Sequence, residues 1–193
     1  LKKLGYTHIL LATGAWQAGE LGIPGNVRGV IAWMKEMKQQ VKPCLEGHVV
    51  VVGAGNTAMD AARVAKRMGA ASSTIVYRRT KKEMPADEHE LKLAIDEGVN
   101  LVELAAPVEQ KDGKLICNQM KLGEPDASGR RSPVATGETF EIPCDLVISA
   151  IGEKVDAKLM AENGIEMGRK GPAFQTNVEN VWSAGDAHRG PAT

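Results

Sequence analysis

The sequence predicts an α/β protein: a parallel sheet built from βαβ units, with an antiparallel β-meander inserted into it. Three observations carry that expectation. The apolar run "VVVV" at residues 49–52 leads into Gly-x-Gly and then into an alanine-rich helical pattern, as a strand buried on both faces and its following helix would. Further apolar strand-like runs then alternate with a second helical pattern, the order that parallel sheets require. From about residue 108 to 143 the pattern changes to short alternating stretches separated by polar turns, which reads as antiparallel pairing.

The elements follow in order. "YTHILLATG" (residues 6–14) reads as a buried strand ending at a tight turn, and "LGIPGN" (21–26) as a connector. "VIAWMKEMKQQV" (30–41) places Ile31, Met34 and Met37 at helical spacing, and Pro43 ends it. After the strand at 49–52, a helix is expected over about 57–68. Ala58, Ala61, Ala62 and Ala65 give it a flat face for close approach to a sheet, and Gly69 stops it. "STIVYRRT" (73–80) is a second strand. "PADEHELKLAIDEG" (85–98) is a second helix, with Pro85 in its first turn and Asp87, Glu88 and Glu90 at its positive end. "VNLVELAAP" (99–107) is a third strand. "KLICNQMKL" and "ETFEIP" are meander strands, separated by the turns "QKDGK" and "GEPDASGRRSPVATG". "CDLVISAIG" (144–152) returns to an apolar strand, a short helix covers 156–163, and "ENVWSAGD" (179–186) is a last strand ending in Gly-Asp.

Composition excludes several classes of function. The chain of 193 residues is 43% apolar and 25% charged, and Lys+Arg balance Asp+Glu at 24 each. Nothing in that balance points to nucleic acid or to an anionic membrane. No apolar run approaches the roughly 20 residues that span a bilayer, and no signal peptide is expected. Cys44, Cys117 and Cys144 lie far apart, with no Cys-x-x-Cys, zinc or iron–sulfur spacing. They read as reduced thiols of a cytoplasmic protein. His8, His48, His89 and His188 have no metal spacing either, so no metal site is expected. The start at Leu1 and the stop within a glycine-rich turn suggest a piece of a longer polypeptide.

The chemistry concentrates in Gly53-x-Gly55-x-x-Ala58, set between a strand and a helix. Gly53 allows a sharp turn, Gly55 lets a pyrophosphate approach the backbone, and Ala58 lets the helix pack on its strand. The helix N-terminus offers N–H groups and partial positive charge to phosphates. This is a Rossmann-like dinucleotide loop. Where NAD or FAD sites place an acid at the end of the second strand, this chain has Tyr77-Arg78-Arg79-Thr80-Lys81-Lys82, with no carboxylate before Glu83. A guanidinium grips a 2′-phosphate through paired charge-assisted hydrogen bonds. The reading is NADP(H), with Arg78 and Arg79 as the clamp. A solvated basic strand end, or FAD adenylate in the glycine loop, is the alternative.

These segments together resemble a known family. "VVVVGAGNTAMDAARVAKRMGA", "TIVYRRTKKEMPA", "LATGA" and "AIGEKVD…NVWSAGDAHRGPAT" resemble the NADPH-binding region of the glutamate synthase small-subunit-like flavoproteins, which include dihydropyrimidine dehydrogenase-type modules. "KLGEPDASGRRSPV" (121–134) looks closest to the selenate reductase iron–sulfur subunit. The resemblance implies two nested domains, an NADPH domain inserted into an FAD domain. Residues 1–25 would then be an FAD-domain strand and hinge, 26–152 the NADPH domain with its meander at about 108–143, and 153–193 a returning FAD-domain segment. It implies cofactor contacts from Gly53, Gly55, Asn56, Thr57 and Ala58 in the loop, from Arg78 and Arg79, and from Glu83 of "EMPA". Thr13 and Gly14 would mark the turn leaving the FAD domain. Ala150, Ile151 and Gly152 would form the turn leading back, near the nicotinamide, and Gly185 and Asp186 would contact FAD. The implied reaction is hydride transfer between NADPH and FAD, followed by electron transfer to iron–sulfur centres, with the rest of the parent flavoprotein and iron–sulfur or molybdenum-type subunits as partners. The cofactors carry that chemistry, so no catalytic acid or base is named. The family's FAD fingerprint and cysteine-rich segment do not occur in this sequence. The chain alone is therefore expected not to retain FAD and to be inactive. A nucleotide-free scaffold or subunit-docking domain is the alternative from another class.

Overall fold

The computed structural model describes residues 1–125, 129, 131–166 and 174–190. The chain divides into two compact units, Ala18–Ile151 and Leu1–Gln17 with Gly152–Thr193.

In the larger unit, β1 is Val27–Gly29, β2 His48–Val52, β3 Ser72–Val76, β4 Asn100–Val102 and β8 Leu146–Ser149. They form one five-stranded sheet in the order β1-β8-β2-β3-β4, and every pair is parallel. The helices are α1 (Val30–Met37), α2 (Asn56–Arg67) and α3 (Glu88–Asp96). The remaining strands, β5 (Ala105–Lys111), β6 (Lys114–Pro125) and β7 (Arg131–Pro143), form a separate antiparallel sheet in that order. The expected parallel sheet with an inserted meander is therefore the observed fold.

The layers explain the valine run. Val49 and Val51 point into a core shared with Val30 and Trp33 of α1, Ala58, Met59 and Ala62 of α2, and Ala94 of α3. Val50 and Val52 point the other way, into a core with Leu115, Cys117 and Ile142 of the meander. A strand covered by helices on one face and by a sheet on the other has no use for a polar residue. Each valine so buried contributes roughly 1.5–3 kcal/mol. The alanine face of α2 is fully buried, and Ser73 Oγ on β3 donates to Ala62 O at 2.8 Å. A larger side chain there would hold the helix away.

The structure departs from the sequence reading at several ends. α1 stops at Met37, because residues 38–43 are all exposed and Val41 has no apolar partner to reach. Its buried face is Val30, Trp33 and Met37, with Ile31 and Met34 only partly covered. α3 starts at Glu88, with Asp87 as its N-cap accepting from His89 N–H at 2.8 Å; Pro85 therefore lies ahead of the helix. The third strand breaks at Leu104, whose φ is +54°, so Ala105 and Pro107 already belong to the meander. The stretch read as a long polar turn is mostly paired backbone: Lys121 faces Val134 and Pro125 faces Arg131. Residues 126–128 and 130 of that stretch lie outside the described residues. The connector at 21–26 and Gly19 just before it bond into the larger unit: Ser149 Oγ donates to Gly19 O at 2.8 Å, and Gln110 N–H to Pro24 O at 2.9 Å.

The smaller unit contains a parallel pair, Ile9–Leu11 with Val181–Ser183, and the short helices Ala157–Glu162 and Asp186–Arg189. No helix among the described residues is long and apolar enough to cross a membrane.

One ion-pair network locks α2 to α3. Arg63 and Arg67 both donate to Glu97, at 2.9 Å and 2.8 Å from their Nε atoms, and Arg63 also reaches Glu90 at 3.2 Å. The hydrogen bond from Arg67, and then that from Arg63, hold the Glu97 carboxyl down at about 2, from an ordinary 4.5. A carboxyl depressed on folding stabilises the protein above its unfolded value and loses that contribution as pH falls toward the folded value. Solvent at this rim keeps the effect modest. Urea denaturation from pH 5 down to about pH 2 should therefore show a steady loss of stability in the parent chain, and a shallower loss in Glu97→Gln.

Candidate functional site

The strand order creates the site. From β2 the chain crosses to β3 on one side, while β8 and then β1 lie on the other. The C-terminal end of β2 is thus a switch point, where ligands of open α/β sheets bind. There Gly53 has φ +147°, and a Cβ built on it would lie 2.2 Å from the carbonyl oxygen of Ala150. Glycine is required by this contact between the loops that follow β2 and β8, as well as by its backbone angle. Gly55 is different. Its φ is −88° and a Cβ there would meet nothing within 4 Å. The space above Gly55 is open, as close approach of a phosphate demands.

Gly55 caps α2 through its backbone alone. No side chain caps the helix and no acidic residue stands in its first turn. The N–H groups of Asn56 and Thr57 lie ahead of the first intrahelical acceptor, Gly55 O, which takes Ala58 N–H at 2.9 Å. They remain available to an anion at the positive end of a 12-residue helix. Ala58 is fully buried beneath them. The Asn56 side chain turns away from that opening: its Oδ1 accepts from Asp87 N–H at 2.9 Å. Together with Ala86 N–H donating to Ala54 O at 3.0 Å, it straps the "EMPA" segment to the glycine loop.

The two arginines at the end of β3 are unlike. Arg78 is exposed. Arg79 is buried, at 7% exposure, and its Nε has no hydrogen-bond partner among the described residues. An unsatisfied buried donor costs roughly 1–3 kcal/mol. Glu83 is committed elsewhere. Its carboxylate accepts from Thr80 N–H at 3.1 Å and Thr80 Oγ1 at 2.5 Å, closing a capping box on the turn Lys81–Glu83. The Thr80 hydroxyl is the main reason its carboxyl lies below the usual value. Tyr77 Oη donates to Glu83 O at 2.8 Å. Sequence reasoning missed this scaffold, although Thr-x-x-Glu is a capping pattern visible in the sequence.

Ala150 is buried against Gly53 and Ile151 is exposed. Beside the same strand ends lies a cavity of about 390 Å³, lined by Gly19, Leu21, Ile23, Val27, Gly29 and Ser149 among others. No sequence signal marked it. Gly152 falls in the smaller unit. In that unit Thr13 O accepts from Trp16 Nε1 at 2.6 Å. Ala184 N–H donates to Leu11 O at 3.0 Å, which brings the Thr13–Gly14 and Gly185–Asp186 turns to one end of the strand pair. Gly185 has φ +61° and caps the helix that Asp186 opens. His188 bonds Ser183 Oγ at 2.7 Å and packs on Phe174.

Cys117 and Cys144 are free and buried, and burial raises their thiols to about 11 and about 12. Neither is a nucleophile at neutral pH. Among the described residues no group of three or more His, Cys, Asp or Glu is placed to hold a metal ion.

The fold is an α/β one with a glycine loop at the switch point of its parallel sheet. The chain belongs to the pyridine nucleotide-disulphide oxidoreductase family, whose profile matches residues 1–193. It is 38% identical over 207 residues to the NADP(+)-dependent formate dehydrogenase subunit beta of Moorella thermoacetica, covering 97% of this chain and 29% of that one. It is 35% identical over 214 residues to the glutamate synthase [NADPH] small chain of Halomonas elongata, covering 96% of this chain and 45% of that one. The chain thus spans less than half the length of these curated relatives. The solved structure of Mycobacterium tuberculosis FprA in complex with NADPH matches with a TM-score of 0.80 at 18% identity, over 100% of this chain and 61% of that one. At that identity it bears on the fold alone. The expected likeness to glutamate synthase small chains holds.

The two glycines make opposite predictions for folding. Gly53→Ala should lower the unfolding free energy by about 2 kcal/mol or more, since it forces both a clash and a disfavoured backbone angle. Gly55→Ala should stay within about 1 kcal/mol of the parent. Urea denaturation followed by circular dichroism checks both.

Proposed function

We propose that this chain is the NADPH-binding unit of a flavin-dependent oxidoreductase. The observation that carries the reading is the pairing of an open, uncapped N-terminus of α2 with the partnerless Nε of buried Arg79 at the end of the next strand. One feature suits a pyrophosphate, the other a phosphorylated ribose. The clear space above Gly55 supports the same fit. In the reading, the N–H groups of Asn56 and Thr57 hold the pyrophosphate. Arg79 and Arg78 hold the 2′-phosphate, Arg79 from a fixed position and Arg78 from solvent. Ala150 and Ile151, beside Gly53, border the nicotinamide end. Glu83 serves by shaping the loop rather than by touching the cofactor. NADPH, when bound, supplies a hydride to flavin. This chain's residues bind and orient, and none is asked to move a proton.

The wider assembly is part of the proposal. Thr13, Gly14, Gly152, Gly185 and Asp186 are assigned to an FAD site shared with further polypeptide, and electrons pass on to iron–sulfur centres or a molybdenum-type subunit. Names such as "subunit beta" and "small chain" among the relatives support a place in a larger enzyme. The selenate reductase likeness rests on residues 121–134 alone. Free thiols suit the cytoplasm.

Calorimetric titration tests the cofactor assignment. NADPH should bind more tightly than NADH, by roughly 1.5–3 kcal/mol for a good contact to the phosphate. Arg78→Ala combined with Arg79→Ala should abolish that difference. Gly55→Ala should weaken NADPH binding roughly tenfold or more, about 1.4 kcal/mol, while the protein stays folded. Equal affinity for the two cofactors sinks the arginine assignment, and binding of neither favours the scaffold reading.

A further inference from the structure

We propose that Glu103 is a positioning residue that sets the preference for a phosphorylated adenosine, acting through the backbone of the Arg79 loop. The inference rests on the NADPH reading above and deepens it. A buried guanidinium cannot swing out to meet a ligand, so its aim is set by the backbone that carries it. Arg79, at 7% exposure, is in that position.

The backbone around Arg79 is gripped by four consecutive residues at the junction of β4 and the meander. Tyr77 N–H donates to Val102 O at 3.0 Å, Leu104 N–H to Arg79 O at 3.0 Å, and Ala105 N–H to Tyr77 O at 3.0 Å. The fourth grip is Lys81 N–H donating to the carboxylate of Glu103. Three of these bonds are backbone to backbone and would form with almost any side chains. The Glu103 bond is the one that depends on residue type. It fixes the loop two residues after Arg79, while Val102 and Ala105 hold Tyr77 two residues before it, so Arg79 is held from both directions.

The junction is itself braced. Leu104 has φ +54°, a conformation that branched side chains rarely adopt and that costs of order 1 kcal/mol or more. Its carbonyl accepts from Met120 N–H at 2.7 Å and from Gln119 Nε2 at 3.2 Å, both on β6. Thus the meander holds the strained turn, and the turn holds the loop that carries the arginines.

Glu103 has two effects of opposite sign. Its negative charge near the arginine loop repels a phosphate. Its oxygen, as an acceptor for Lys81 N–H, holds the loop. Glu103→Gln removes the charge and keeps an acceptor. Glu103→Ala removes both. Comparing these two neutral variants isolates the acceptor.

The test measures NADPH and NADH affinities of the full chain as parent, E103Q and E103A at fixed ionic strength, with a melting temperature for each. E103Q should keep the parent's preference for NADPH or exceed it. Relative to E103Q, E103A should bind NADPH roughly fivefold to tenfold more weakly, with NADH affinity changed by less than about twofold. Gln119→Ala, which loosens Leu104 from the meander, should reduce the preference in the same direction. If E103A and E103Q show the same preference, or E103A weakens both cofactors equally while its melting temperature falls, the positioning role is overturned and the NADPH reading stands. If the parent itself shows no preference, both fall together.

Discussion

The close approach between residue 53 and the carbonyl of Ala150 is the constraint on which the rest depends. It follows from topology. The chain crosses away from β2 in one direction, while β8 slots in on the other side, so two loops leave adjacent strand ends at the same point. With 2.2 Å between a would-be Cβ and a carbonyl oxygen, no side chain fits between them. Because the turn is that tight, α2 starts directly above the sheet and its first N–H groups open outward. The same turn brings Ala54 and Asn56 within reach of Ala86 and Asp87. Strand order, glycine, helix direction and loop anchoring form one sequence of consequences.

Neighbouring arginines acquire different chemistry from this framework. Arg79 is enclosed and carries an unpaired donor, whereas Arg78 reaches into solvent. An enclosed guanidinium in low dielectric interacts more strongly with a phosphate than an exposed one does. It gives up little rotamer freedom on binding, having lost it on folding. The capping box of Thr80 and Glu83, with Tyr77 bonded to the same turn, braces the same loop that residues 102–105 grip.

Much of the architecture was legible in the sequence because patterning and packing agree. The valine run is apolar on both faces since helices cover one and the meander covers the other, and the alanines of α2 mark a helix pressed onto a sheet. The loop glycines were legible in place, although the clash that makes Gly53 obligatory depends on Ala150, nearly a hundred residues away in sequence. What escaped reading was tertiary. Trp33 belongs to the core although Ile31 and Met34 fit the helical spacing as well. Leu104 adopts a glycine-like angle that no local signal announces, held by Gln119 and Met120 from another sheet. The unequal burial of Arg78 and Arg79 cannot be seen in "RR". The cavity beside Gly19 and Ser149 is assembled from three stretches of chain, 19–23, 27–29 and residue 149.

Cys117 and Cys144 sit in the layer between the parallel sheet and the meander, with thiols that burial keeps protonated. Exposed Cys44 aside, a reagent that attacks thiolate therefore reaches neither of these two sulfurs while the two sheets stay together. Alkylation becomes a clock for their separation: each modified sulfur records one occasion on which the meander lifted away, and the rate reports how rarely that happens.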